Sequence, residues 1–517
     1  MESSNLQQLV NVSPTGPLIL LLAVAPLVYI SYTVIYSLYF SPLSKFPGPK
    51  LWACSELFYQ RAIVKGTAHQ EFLEFFSQYG PVVRITPKEL IFSSPQAVRD
   101  IYGTLHVQKQ LGEDHMISTL DHNVHARQRR MLSSAFSERS VRELEPVLTE
   151  LIDKLIAGLQ KEGVVEGKDI DIKQWVNYTT FDITGYLVFG ESFHCLDNAA
   201  MHPWVAFMTD SIKAQVFMGI FLRLPGMKPL MPYLTPKKVA TALSEHQSLS
   251  YNRLEQRLEQ GQKTEKSDLI GLLLKNGITQ KSGGFSSGED HISKGELHAN
   301  STILILGGSE TSATLLSGAI FFLTTHPSHL TRLTNLIRTT FASHTSITSL
   351  SLTPNKLPYL HAILQETLRM YPPGANQFTR RTPPDGAVID GHFVPRDTYV
   401  GIPQWASYRN EANFKRAGEW IPERWMGGEE WEGDQRDVLQ PFSLGPYSCI
   451  GVNLAWAEIR LILCRLLWHF DFEVFGGQER WYEDQKVFLV WEKPELRVRP
   501  PDSTFSSYPP PPSPSAP

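Results

Sequence analysis

Cysteine is scarce: four residues, Cys54, Cys195, Cys449 and Cys464, in a chain of 517. They are too few and too scattered for a disulfide framework, and no Cys-x-x-Cys pair suggests zinc, which is thiol usage typical of a reducing compartment. The sixteen histidines include no His-Glu-x-x-His, so a zincin site is absent. Charge of one sign is also missing, with 48 Lys and Arg against 52 Asp and Glu for a net charge of -4, and no basic run is interleaved with aromatics. Nucleic acid is therefore not an expected partner. No internal repeat is found. With 42% hydrophobic residues the chain has enough for the core of one large or two medium domains, which excludes disorder as its main state.

What is present begins with an uncharged stretch. Residues 17–40 run through Leu18-Ile-Leu-Leu-Leu-Ala-Val-Ala-Pro-Leu-Val-Tyr without a charge, long enough for a transmembrane helix and too long for a typical signal-peptide core. The competing reading is a buried core helix. Only Glu2 is charged before the stretch, whereas Lys45, Lys50 and Arg61 follow it, so residues 1–16 are expected on the lumenal side and the bulk of the chain in the cytosol. Asn11 would then be the one lumenal glycosylation sequon, with those at Asn177 and Asn300 silent.

Residues 41–50 are rich in proline and read as a hinge between the span and a catalytic body over 51–502. Strand-like alternation appears at Val82-Val-Arg-Ile-Thr, Leu90-Ile-Phe, Val388-Ile-Asp and His392-Phe-Val. Helical patterns cover about 125–160, 170–190, 204–222, 236–260, 292–325 and 358–371. This predicts a mainly α fold with a minor β part. The Gly- and Ser-rich run 277–288 and the Ser- and Thr-rich run 341–353 read as loops, and 503–517 as a disordered Pro- and Ser-rich tail.

Four motifs carry chemistry. Phe442-Ser-Leu-Gly-Pro-Tyr-Ser-Cys-Ile-Gly451 sets Cys449 between glycines just before an apolar helix-like run, near a helix N-terminus that favours a thiolate. Taken alone, Cys449 reads as a buried structural cysteine. Ile303-Leu-Ile-Leu-Gly-Gly-Ser-Glu-Thr-Ser places Gly307, Gly308, Glu310 and Thr311 inside an apolar helix, where each glycine costs about 1 kcal/mol relative to alanine and a buried carboxylate needs a partner. Alone, this run reads as a close helix crossing. Glu366-Thr-Leu-Arg369 puts opposite charges on one face of a helix with apolar flanks that Pro372 and Pro373 end. His125-Ala-Arg-Gln-Arg-Arg130 puts His125 and Arg129 on one face, with Arg127 and Arg130 pointing another way.

In this order, together with the proline run and Pro422-Glu-Arg-Trp, these segments resemble the cytochrome P-450 superfamily, of the eukaryotic microsomal type and similar to fungal secondary-metabolism members. The resemblance implies the P-450 fold behind a single N-terminal transmembrane helix and haem b with Cys449 as the axial iron ligand. It further implies that Phe442 and Tyr447 belong to the ligand loop, and that Gly307 and Gly308 make room for the flat cofactor and a diatomic ligand. Glu310 and Thr311 would pass protons to dioxygen. His125 and Arg129 would bind the propionates, matching a Trp-x-x-x-Arg helix with His in place of Trp. Arg380 resembles a third propionate ligand, with Arg381 competing for the role. Glu366, Arg369 and Arg424 would form a structural triad. Tyr447 departs from the family, whose loop usually carries Arg or His there.

The resemblance implies a monooxygenase of the endoplasmic reticulum membrane. No flavin domain is expected after the Cys449 loop, so electrons would come from NADPH through a separate NADPH-cytochrome P-450 reductase, for which Arg127 and Arg130 offer either a docking surface or a plain solvated face. The segments facing substrate are the stretch before His125, 204–222, the Ile303 helix, Gly374–Phe378 and Val487–Leu489. They are largely apolar, with Asn376 and Gln377 as polar anchors, and suit a lipophilic small molecule. Two alternatives stay open: a haem isomerase or dehydratase that needs no reductase, and a non-catalytic haem-binding sensor, which Tyr447 favours.

Overall fold

The computed structural model describes residues 15–107, 115–117, 119, 121–203, 216–219, 229, 237–261, 267–275, 278–281, 284–287, 290–474 and 476–499. Asn11, most of 204–222 and the tail lie outside the described residues. Helix α1 (Thr15–Ile35) passes without a break into a π-helical turn, Tyr36–Phe40. Leu27, Val28, Tyr29, Ile30 and Tyr32 are exposed, in an apolar helical stretch that runs from Leu27 to Phe40.

The chain then turns onto the body. Leu43 and Phe46 are buried, and a Cβ on Gly48 would lie 2.3 Å from the Arg84 carbonyl oxygen. The buried Arg84 guanidinium donates to the Ser37 carbonyl (2.7 Å), the Ser37 hydroxyl (2.8 Å) and the Pro87 carbonyl (2.9 Å). Residues 41–50, expected as a stiff proline-rich hinge, are packed onto the body at these points. Two apolar side chains draw the segment into the core, which proline content alone does not reveal.

Helices α2 (Lys50–Cys54), α3 (Glu56–Lys65) and α4 (Ala68–Tyr79) lead into β1 (Val82–Thr86) and β2 (Glu89–Phe92). Next come α5 (Pro95–Thr104), capped by Ser94 accepting from the Ala97 N–H at 3.1 Å, and β3 (His106–Val107). The helical part follows: α6 (His122–Ser133), α7 (Glu138–Leu159), β4 (Ile170–Asp171), α8 (Ile172–Phe189), α9 (Cys195–Asn198), α10 (Lys237–Gln260) and α11 (Leu269–Lys275). The pattern read as one helix over 125–160 is two, because Ser137 starts a new cap by accepting from the Ser140 N–H at 3.3 Å.

The run 277–288 is not a loop. Its described residues after Ile278 belong to β5 (Thr279–Lys281) and β6 (Gly284–Ser287), which pair with β7 (Asp290–Ser293) in an antiparallel meander. Cross-strand pairing that buries Phe285 opposite Ile292 outweighs the glycine and serine content.

Helix α12 (Lys294–Thr325) opens with a capping box between Ser293 and Glu296. Among the described residues it is the one helix long and apolar enough to cross a membrane, and most of it is buried inside the body. After it come α13 (Pro327–Thr340), α14 (Pro358–Met370), β8 (Arg380–Arg381), β9 (Ala387–Ile389), β10 (His392–Val394), β11 (Tyr399–Gly401), α15 (Gln404–Tyr408) and α16 (Val452–His469). Four short strands close the chain: β12 (Glu473–Val474), β13 (Lys486–Val487), β14 (Trp491–Glu492) and β15 (Arg497–Arg499).

The largest core cluster joins α7, α8, α12, α14 and α16 through side chains such as Leu155, Phe181, Leu316, Ile363 and Leu463. Beside it lies a sheet of order β1-β2-β11-β8-β3, in which β11 runs parallel to β2 and antiparallel to β8. That sheet aims one residue of β8 inward: Arg380 is buried and Arg381 is exposed.

Candidate active site

The loop before α16 is shaped by its glycine and its backbone. Gly445 has φ 67°, and a Cβ there would lie 2.5 Å from the Tyr102 carbonyl oxygen, so only glycine fits. The Ser448 N–H donates to the Gly445 carbonyl (3.1 Å) and the Cys449 N–H to the Phe442 carbonyl (2.7 Å), which folds the loop around the cysteine. Phe442 also packs on Trp456 of α16, with ring centroids 5.6 Å apart. The cysteine keeps a solvent-accessible face although it is densely surrounded. Burial raises its thiol pKa, while the Gly451 N–H and the Arg129 guanidinium pull it down. A bound metal would hold it as thiolate.

Three cationic or aromatic side chains gather on this loop. Arg129 donates to the Ser448 carbonyl (2.6 Å) and hydroxyl (3.0 Å), fastening α6 to the residue before Cys449. His125, one turn earlier, packs on Tyr447 with ring centroids 4.1 Å apart and the planes tilted by 36°. The Arg380 guanidinium lies 5.4 Å from the Tyr447 ring and 4.9 Å from the Tyr102 ring. Arg380 is 4% exposed, and its Nε has no hydrogen-bond partner. An orphaned buried guanidinium donor is costly, and it is the kind of group an incoming carboxylate satisfies. Arg381, its neighbour, is exposed and paired with Asp397 at 2.8 Å.

Helix α12 divides the roles expected of its motif. Nothing lies within 4 Å of a Cβ built on Gly307, so this position opens onto free space. Gly308 does not share that task. A Cβ there would lie 3.1 Å from the Thr184 hydroxyl, so this glycine serves the crossing with α8. Thr311 stands on the Gly307 side and donates to the Gly307 carbonyl at 2.6 Å. Glu310 does not accompany it: the carboxylate is buried and ion-paired with the buried Lys493, which also donates to the Thr314 hydroxyl at 2.8 Å. Burial is the main pull on Lys493 and lowers its pKa, against the attraction of Glu310.

The expected docking cations are also engaged within the chain. Arg127 pairs with Glu296, and Arg130 with Asp290 at 2.9 Å, so the β7–α12 junction takes both. The triad is present and larger than expected. Glu366 accepts from Arg369 (2.9 and 2.8 Å), Arg424 (3.1 Å), the Trp425 indole (2.9 Å) and the Ile421 N–H (2.7 Å). Arg424 also reaches Asp434 at 2.6 Å. Burial pushes the Glu366 carboxyl up, but Arg369, Arg424 and the Ile421 N–H outweigh it and hold its pKa below the ordinary value. Of the polar anchors, Asn376 donates to the Phe488 carbonyl (3.2 Å) and Gln377 to Glu89 (3.2 Å), and each amide oxygen is buried without a partner.

Sequence reasoning missed Lys493, Asp434 and Glu458. Glu458 on α16 is buried and, among the described residues, accepts only from Ser312 on α12 at 3.4 Å and has no partner for Oε1. Burial pushes its carboxyl up to about 8. A lone acid in the apolar run after the cysteine loop is the signal that could have found it. The α12–α16 crossing at Ser312 and Glu458 relates the two halves of the site, since Gly307 and Thr311 precede Ser312 on one helix and Cys449 lies just ahead of the other.

These residues fit a haem: a cysteine with an open face, a helix position with free space above it, and a buried cation with an orphaned donor. Comparison with known proteins agrees. The family model described as Cytochrome P450 matches residues 46–499. The chain is 36% identical to a trichothecene C-15 hydroxylase of Fusarium sporotrichioides, over 93% of this chain and 98% of that protein. It is 38% identical to an averantin hydroxylase of Dothistroma septosporum, over 90% and 88%. With the cytochrome P450 monooxygenase aclL of Aspergillus oryzae it shares 36% identity, over 94% and 98%. The chain belongs to the cytochrome P450 family and is a monooxygenase with haem iron as its cofactor.

Proposed function

We propose that this protein is a membrane-anchored monooxygenase that hydroxylates or otherwise oxidises a lipophilic small molecule in a fungal secondary-metabolite pathway, of the terpenoid, polyketide or alkaloid kind. The observation that carries this reading is the convergence of Arg129, His125 and Arg380 on Ser448 and Tyr447 of the Cys449 loop, together with a helix whose Gly307 faces free space. Haem iron ligated by a thiolate supplies oxygen activation, with one oxygen atom going to substrate and the other to water.

The chain's own residues supply the setting. Cys449 is the iron ligand, held in place by the Phe442 carbonyl and by Arg129 through Ser448. Arg380 gives a charge-assisted bond to a propionate, and His125 and Tyr447 offer neutral ones beside it. Thr311 holds a hydroxyl proton at Oγ1 on the open face. Glu310 is tied to Lys493 and so stands behind the open face, not on it. The hydroxylase names of two relatives support the reaction class. The apolar stretch Leu27–Phe40 supports the anchor: residues 17–40 as a single span in the endoplasmic reticulum membrane, with the body in the cytosol and electrons from NADPH-cytochrome P-450 reductase.

Turnover with reductase, NADPH and isotopically labelled dioxygen tests this. One labelled oxygen atom in the product is the expected result. Product that forms without reductase and carries no label would favour the isomerase or dehydratase reading, which the pairing of Glu310 with Lys493 keeps in play.

A further inference from the structure

A buried polar chain crosses from the segment ahead of α6 into α12 and back. The Met116 N–H donates to Asn300 Oδ1 at 3.0 Å. Asn300 Nδ2 donates to Gln128 Oε1 (3.1 Å) and to the Glu296 carbonyl (2.7 Å). Gln128 Nε2 donates in turn to Glu296 Oε1 at 3.1 Å. Glu296 also accepts from Arg127 and from the Ser293 N–H (2.9 Å), so the carboxylate that caps α12 is the far end of the chain. Asn300 and Gln128 are both fully buried.

Placement gives this chain a consequence. Asn300 lies about two helical turns before Gly307, so it stands on nearly the same face of α12, roughly 10 Å along the axis. The backbone at Met116 is docked on the face that opens at Gly307. Thr119 is buried, and Asp121 caps α6 by accepting from the Asn123 N–H at 2.8 Å. Met116 is therefore held to α12 by Asn300, and the start of α6 by its own cap.

We propose that Asn300 is a positioning residue that fastens the segment at Met116 as one wall of the open face of α12, and that it sets how well a bulky ligand is enclosed without touching the iron site. This rests on the haem reading above, and it assigns a role that the motifs do not. A buried asparagine with both amide groups in use is suited to this, because one side chain serves as acceptor for the segment and donor to α6.

The test uses the full haem-loaded chain and two probes, imidazole and the bulky azole clotrimazole, titrated by the ferric difference spectrum. Asn300→Leu should weaken clotrimazole about tenfold, the size of one lost hydrogen bond, and leave imidazole within about twofold. Asn300→Ala, which adds no bulk, replaces the leucine variant if that one fails to retain haem. An unchanged ratio of the two affinities would overturn the proposal. Loss of the thiolate-type carbon monoxide band in the unmutated chain would instead overturn the haem reading on which it stands.

Discussion

Lys493 and Tyr447 are the two residues at which this chain sets its own terms. The Glu310–Lys493 pair is buried on both sides, so removing one partner leaves a charge without compensation. Lys493→Met should destabilise the chain by about 3 kcal/mol or more, and adding Glu310→Gln should restore most of the loss, as read in a denaturant double-mutant cycle. A loss in the double variant equal to the sum of the two single losses would show the pair to be uncoupled. Tyr447 is held between His125 and Arg380. An arginine there would face Arg380 without a counter-ion in the haem-free chain. Tyr447→Arg should therefore lower the melting temperature of haem-free protein and slow haem transfer to an acceptor protein. A variant that loses haem no more slowly would count against a propionate role for this position.

Helix α12 shows why a motif can be legible while its internal division is not. The Gly-Gly-Ser-Glu-Thr run was readable because glycines and an acid are costly in an apolar helix, so their presence asks for a reason. Which reason belongs to which residue depends on neighbours far away in sequence: Thr184 behind Gly308, Lys493 on Glu310, and free space at Gly307. Gly307→Ala should stabilise the haem-free chain by about 1 kcal/mol, the helix-propensity difference, whereas Gly308→Ala should gain nothing because Thr184 must give way. Urea denaturation of both variants checks this, and equal stabilisation would contradict the division. The strands at β1, β2, β9 and β10 were legible from alternation, as was the Glu366–Arg369 pair from its spacing. The β5–β7 meander was not, since glycine and serine hid a buried Phe285 and Ile292.

At the scale of the molecule, the segment between α1 and the body is packed and tied to Arg84, so the orientation of the body follows that of the N-terminal helix. Proline content pointed to a hinge there because composition reports backbone stiffness and says nothing of where Leu43 and Phe46 are buried. Stability of the whole chain should also respond to one buried acid. Glu458 ionises near 8 when folded, above the 4.5 of an ordinary glutamate. Between those values the unfolded chain has released this proton and the folded one has kept it, so stability from this group falls as pH rises, by roughly 1.4 kcal/mol per pH unit. Glu458→Gln should accordingly raise the melting temperature more at pH 7.5 than at pH 5, and equal changes at both would contradict the assignment.

The central claim is that Cys449 is the iron ligand of a haem-thiolate site, and the reduced carbon monoxide difference spectrum of the purified chain tests it most directly. The thiolate-type Soret band should appear, should vanish in Cys449→Ala, and should persist in Cys464→Ala, since Cys464 lies in the core and burial raises its thiol pKa. Haem bound without that band in the unmutated chain, or a band that survives Cys449→Ala, would contradict it.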